Sequence, residues 1–247
     1  MRQLGIPVIL LASFLAHGQA GCEGLPGPGD RILEKSDAVL VTAGSSFEMV
    51  LKVAIAGGGT LEYRLRNYIK DLEVQRALFQ EPDFDRGDSA IRKGGTAYFK
   101  YRAWPKYDRM NAKSSFLDSS FTWEEALCPG LSRAYEVAGL AWDEVQGERL
   151  LRYELRPVLP GAYRRVDLWL RPGSLQTVRR VYYTPSGQPW KSAEFGDYVM
   201  AGGLASSWGM TMVDEFTKAS ASMAVGDRRT ERMLDSFFEP TNQVKEK

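Results

Sequence analysis

What the chain lacks narrows its chemistry first. It holds one histidine, His17, inside an N-terminal stretch with the features of an export leader, so the mature chain carries no imidazole. A Ser-His-Asp triad, a histidine general base and the commonest metal ligand are thereby excluded. Cysteine is scarce as well, with Cys22 and Cys128 the two in the chain. Without an imidazole or a second thiol close in sequence, Cys128 is a poor nucleophile and reads as a small core hydrophobe. A disulfide to Cys22 in an oxidising compartment is the alternative. Charge of one sign is missing: 32 Lys and Arg stand against 31 Asp and Glu, and the balance becomes even once Arg2 leaves with the leader. Such a chain does not bind nucleic acid by bulk charge. Past the leader, no apolar run approaches the roughly 18 residues that a membrane-crossing helix needs.

The leader spans residues 1–20. Arg2 supplies its positive region, Leu4 to Ala16 the apolar region, and Gly18-Gln19-Ala20 a small-residue cleavage site. A lipobox reading competes, in which Gln19-Ala20-Gly21-Cys22 places an acylated cysteine at the new N-terminus. Gln19 stands where such boxes carry Leu or another apolar residue, which favours cleavage after Ala20. Both readings export the protein to the periplasm. A Gly/Pro-rich flexible linker follows at 21–29, a single domain at 30–240 and a disordered tail at 241–247. About 225 residues remain after the leader, enough for one domain with a sizeable core.

Within that domain the patterning is mostly of period two. Asp30 is placed to cap a helix that turns Ile32, Leu33, Val39 and Leu40 inward and Glu34, Lys35 and Asp37 outward, ending before Gly44. Thereafter Phe47, Met49, Leu51 and Val53, then Tyr63 and Leu65, alternate with charged residues, as do Leu151, Tyr153, Leu155, Val166, Leu168, Leu170, Met210 and Met212. Residues 94–127 are the centre of the pattern. A Gly-Gly turn opens an aromatic strand, Pro105 bends it, a second strand runs to Met110, and a short helix begins at Thr122. Thr122 and Glu125 form a capping box, and Pro129-Gly130 stops the helix. So short a helix must lean on a larger surface. The Asp83, Asp85 and Asp88 spacing has the glycine and glutamate of a calcium loop misplaced and reads as a solvated turn.

Strand after strand with one charged and one apolar face predicts a mainly β fold: one long antiparallel sheet of ten or so strands, curved because a sheet of that width cannot stay flat. The few short helices cover its concave face incompletely. Two outcomes follow, an apolar cavity or a hollow filled by its own side chains.

The ordered set Tyr98 to Lys100, Trp104-Pro105, Arg109 and 119–125 (SSFTWEE) resembles the LolA-like family of outer-membrane lipoprotein-sorting proteins. Further matches are Tyr182-Tyr183, 187–191 (GQPWK), Met212-Val213-Asp214 and Phe237-Phe238. The resemblance implies an unclosed half-barrel (LolA/LppX-like) with a helical lid and a concave face that holds acyl chains of a lipid or lipoprotein. On that reading the lipid-binding residues are Phe47, Met49, Leu51 and Val53 from one strand, Tyr63 and Leu65 from the next, Phe99 and Tyr101 from the aromatic strand, and Leu155, Leu168, Met210 and Met212 from later ones. Trp123 and Leu127 are lid contacts. Lys191, Trp104 and Arg109 match recurring positions without an evident role, and Arg164-Arg165 and Arg179-Arg180 read as a solvated outer face. The implied protein is a monomeric, non-enzymatic carrier with no cofactor and no metal, delivering to or from an inner-membrane transporter or an outer-membrane acceptor. The alternative is a structural or sensory interaction domain with a filled core that docks to a protein partner. Paired acids such as Glu124-Glu125 do not make an acid–base couple, because adjacent helix residues do not face each other.

Overall fold

A computed structural model describes residues 31–54, 58–111, 113–127 and 130–240. The leader with His17, the linker, Cys22, the Asp30 cap, Cys128 and the tail lie outside the described residues.

Thirteen antiparallel strands form one sheet. The first six are β1 (Ser45–Ala54), β2 (Thr60–Ile69), β3 (Val74–Glu81), β4 (Ser89–Lys93), β5 (Thr96–Lys100) and β6 (Asp108–Met110). The other seven are β7 (Tyr135–Val145), β8 (Glu148–Pro157), β9 (Arg165–Leu170), β10 (Thr177–Tyr183), β11 (Pro189–Ala201), β12 (Leu204–Asp214) and β13 (Ser220–Thr230). Their spatial order is β6-β5-β4-β3-β2-β1-β13-β12-β11-β10-β9-β8-β7, so two meanders meet at a central β1–β13 pair and leave β6 and β7 as free edges. The sheet is an unclosed half-barrel of the expected class, wider than the ten strands expected. One strand the pattern did not show is β4, whose five residues are too few to alternate visibly. In addition, β7 runs as one continuous strand through Trp142.

Parity places the apolar residues on one face. The register Met49↔Leu65, Leu51↔Tyr63, Met49↔Val225 and Leu51↔Met223 stacks like with like across the central strands. On the opposite face the alternate residues pair as ions, with Arg64 Nη1 2.7 Å from Glu48 and its Nε 3.2 Å from Glu81. Helix α1 (Ile32–Leu40) buries Leu33, Val39 and Leu40 against the inner face.

The topology forces the rest. Because β6 and β7 occupy opposite edges, residues 111–134 must travel from one edge to the other, and they do so over the inner face. Phe116 packs on Phe79 of β3, the Ser120 hydroxyl reaches the Ala219 carbonyl beside β13, and Glu125 meets Lys191 of β11. Helix α2 (Trp123–Leu127) sits in the middle of this crossing. Its capping box forms as the sequence predicts: the Thr122 N–H donates to Glu125 at 2.7 Å, and the Glu125 N–H donates to the Thr122 hydroxyl at 3.2 Å.

Candidate functional site

The inner face and its crossing segment form the candidate site. Phe47, Met49, Leu51, Val53, Tyr63, Leu65, Phe99, Leu155, Leu168, Met210 and Met212 all lie buried in one contiguous cluster, together with Trp123 and Leu127 of α2. Tyr101 stands apart. It follows the last residue of β5, is 46% exposed, and packs edge-on against Phe99 on one side and against Trp104 on the other. The alternation that nominated it ends with the strand. In this state the inner face is filled by its own side chains. Trp123 packs edge-on against both Phe99 and Phe116, with ring centroids 5.4 and 4.7 Å apart, so the crossing segment is held down by aromatic contact at its β6 end.

Its other end is held differently. Lys191 of β11 places its Nζ 3.0 Å from Glu125 Oε2, both side chains being more than nine-tenths buried. The Tyr163 hydroxyl donates to Glu125 Oε1 at 2.5 Å. With the Thr122 N–H added, the Glu125 carboxylate accepts three hydrogen bonds, which is what a buried carboxylate requires. Burial, and then the Glu125 charge, push the Tyr163 phenol far above its ordinary value, so it stays a proton donor. Tyr182, wholly buried beside it, is pushed up to about 12, mainly by desolvation.

Two residues read as solvent-facing belong here instead. Arg180 is only 2% exposed, lies opposite Ala193 and Leu168, and sets its guanidinium 4.8 Å from the Phe195 ring centroid. The Arg179-Arg180 pair straddles the sheet, so only Arg179 faces outward, to Glu194 at 3.2 Å. Asp37 is also buried. Its two oxygens accept from the Leu131 N–H, and Oδ2 takes the Ser132 N–H at 2.7 Å. This ties α1 to the exit of the crossing segment. A side chain at position 130 would meet that carboxylate at 3.1 Å, so Gly130 makes room for Asp37. None of these polar contacts was legible from alternation. The visible signal was Lys191 and Arg180 standing at apolar positions of their strands.

The free edges enclose a cleft of about 770 Å³. Gly94 to Thr96 with Arg109, Met110, Asn111 and Lys113 contribute to one wall, Arg133 to Tyr135 and the β8–β9 loop, Val158 to Tyr163, to the other, so the sheet curls until its edges share one opening. A second pocket of about 30 Å³ shares Glu124, Ala134, Tyr135 and Tyr163 with the cleft and is lined also by Glu125, Arg180 and Tyr182. Glu124 faces the cleft and Glu125 the buried cluster, so the two acids point apart as their adjacency predicts. No group of three or more metal-ligating side chains occurs among the described residues, and no helix among them is long and apolar enough to cross a membrane.

A family model described as "Uncharacterized protein" matches residues 74–242. No curated protein matches the sequence. Among solved structures, the chain is similar to a LolA superfamily protein from Nitrosomonas europaea, with TM-score 0.73 and 18% identity over 84% of this chain and 96% of that one. An outer membrane lipoprotein-sorting protein domain from Vibrio parahaemolyticus gives 0.71 and 18%, and a DUF1329 family protein from Desulfovibrio piger 0.69 and 19%, each covering 84% of this chain and 94% of its own. The fold is therefore that of the LolA superfamily.

Proposed function

The chain belongs to the family whose model spans residues 74–242, and from that membership, the LolA-type fold and the geometry of the crossing segment we propose a non-enzymatic periplasmic carrier. It holds acyl chains of a lipid or lipoprotein between the sheet and residues 111–134. One observation carries this reading. The inner face is closed by a crossing segment that hydrogen-bonded strands do not seal, and the cleft at the open seam shares Glu124, Ala134, Tyr135 and Tyr163 with a small pocket against that segment.

Loading requires α2 to lift, since the side chains beneath it fill the hollow in the closed state. Trp123 and Leu127 would then leave a floor of Met49, Phe99, Met210 and Met212, and methionines repack around irregular chains at little cost. Each CH₂ that replaces water contact gains about 0.8 kcal/mol, so two acyl chains repay a lid-opening cost of several kcal/mol. The Glu125, Tyr163 and Lys191 groups are occupied by one another and serve as the fastening of the lid.

Native mass spectrometry of the mature protein purified from a bacterial envelope, followed by solvent extraction, tests the proposal. A reproducible adduct of phospholipid or acyl-chain mass is expected. A clean apo mass, with no uptake when lipid is offered, overturns the carrier and leaves an interaction domain with a filled core.

A further inference from the structure

We infer that the seam cleft binds the phosphate-bearing headgroup of an anionic amphiphile through Arg109 and Lys113, while the acyl chains pass under α2. The inference rests on the carrier reading and adds the charge class of its cargo.

The cleft has two unlike walls. One collects Arg92, Arg109 and Lys113, and Arg133 joins them from across the opening, against Glu73 and Glu124 as the acids of the lining. Two of the four cations are engaged: Arg92 donates to the Leu72 carbonyl at 2.8 Å, and Arg133 lies 4.0 Å from Glu73. Arg109 and Lys113 have no side-chain hydrogen bond or ion pair among the described residues, which leaves two exposed cations directed at the same opening. The other wall is apolar. Val158 and Leu159 are largely exposed there, at 57% and 75%, beside Pro160 and Ala162.

A cationic wall facing an apolar one fits a molecule with a charged head and a greasy stem. A sugar phosphate or nucleotide would leave the apolar wall wet, and an uncharged lipid would leave the cations unused. The planar Arg fork matches phosphate oxygens with two parallel hydrogen bonds, and Lys adds a point charge. The cleft shares Glu124, Ala134, Tyr135 and Tyr163 with the small pocket beside Glu125, so a head held at Arg109 lies in the cleft that borders α2. A phosphate group could come from a lipid headgroup or from free phosphate, and the ligand set below separates the two.

Isothermal titration of the mature chain with dihexanoyl phosphatidic acid, dihexanoylglycerol and inorganic phosphate provides the test. The acid should bind roughly tenfold tighter than the uncharged glyceride with the same chains, the size of effect that two charge-assisted contacts at an exposed site give. That preference should shrink in high salt. The double variant Arg109→Glu/Lys113→Glu should abolish the preference while leaving glyceride binding intact. Arg109→Lys/Lys113→Arg should restore most of it, and Arg232→Glu, away from the cleft lining, should leave it unchanged. Equal affinity for both amphiphiles, or a preference that survives the double glutamate variant, overturns the headgroup site while the carrier stands. Inorganic phosphate displacing the acid at equal concentration overturns the lipid source in favour of free phosphate. Failure of both amphiphiles to bind overturns the carrier reading and this inference with it.

Discussion

The two ends of the crossing segment are fastened by opposite means. At the β6 end, Phe116 and Trp123 interlock with each other and with Phe79 and Phe99, and the contact is nearly dry. At the β11 end, Glu125 is held by Lys191, Tyr163 and its own capping box, with Arg180 and Tyr182 close by. Dispersion and burial fade gradually as surfaces part. A buried ion pair is different, because its net worth is small but losing one partner strands the other. On the proposed carrier reading, the Phe116–Phe79 contact is the hinge that stays packed, while Trp123 lifts with α2. The polar end is the one that water or a ligand can release, since water replaces its hydrogen bonds at little net cost.

The largest effect is expected at the aromatic end. Phe116→Ala removes a fully buried ring, and a cavity of that kind costs about 3–5 kcal/mol. That is a large share of the 5–15 kcal/mol typical of a domain. Urea unfolding checks it, and a loss below about 1 kcal/mol would mean that the hinge is not packed as described. Lys191→Met comes next. It leaves Glu125 buried without its cation, at a cost of about 3 kcal/mol. The double variant Lys191→Met/Glu125→Gln should recover more than half of that loss. If the single variant is neutral, the polar end is already hydrated and the contrast between the two ends collapses.

How much of this was legible follows from the periods involved. Alternation of Phe47, Met49, Leu51 and Val53 fixes which face is buried, because a strand has one rule for all its residues. The Thr122–Glu125 spacing announces α2 for the same reason: its partners are three residues apart. Width was underestimated where strands are short, as at β4. The polar fastening joins Asp37 to 131, Glu125 to 191 and Tyr163 to 125, separations that no local pattern encodes. Asp37 looked solvent-facing because a helix face was assigned from charge alone. Arg180 was grouped with Arg179 because adjacency suggested one patch, whereas in a strand adjacency places the two on opposite faces. Tyr101 failed in the converse way, through parity carried past the strand's end.

Tyr163→Phe sharpens the comparison at smaller scale. It removes one of the three donors to Glu125 and leaves Lys191 and the capping box, so about 1–1.5 kcal/mol of stability should be lost. Lid opening should also become easier. Amide hydrogen exchange in α2 should then accelerate without a matching change near Phe116. Acceleration at both ends alike would show that the crossing segment opens as one unit and that the hinge assignment is wrong.

The smallest effect lies at Asp37, where the polar end is tied to α1. Burial raises its carboxyl above the ordinary range, against the opposing pull of the Ser132 and Leu131 donors and the Arg180 charge. An acid whose folded pKa is raised contributes stability that is fully present below its unfolded value, about 3.9, and is lost as the pH rises through the folded value. Asp37→Asn never ionises, so it escapes that loss while giving up one acceptor at every pH. The difference in Tm, variant minus wild type, should therefore start negative at pH 4 and climb as the pH is raised through the folded pKa. Thermal melts of both proteins at each unit of pH from 4 to 8 measure it, and taking the difference cancels every other titrating group. A difference that stays flat or falls would mean that the Leu131 and Ser132 backbone donors and the Arg180 charge outweigh burial. The tie between α1 and residues 131–132 would then be held by an anion at Asp37.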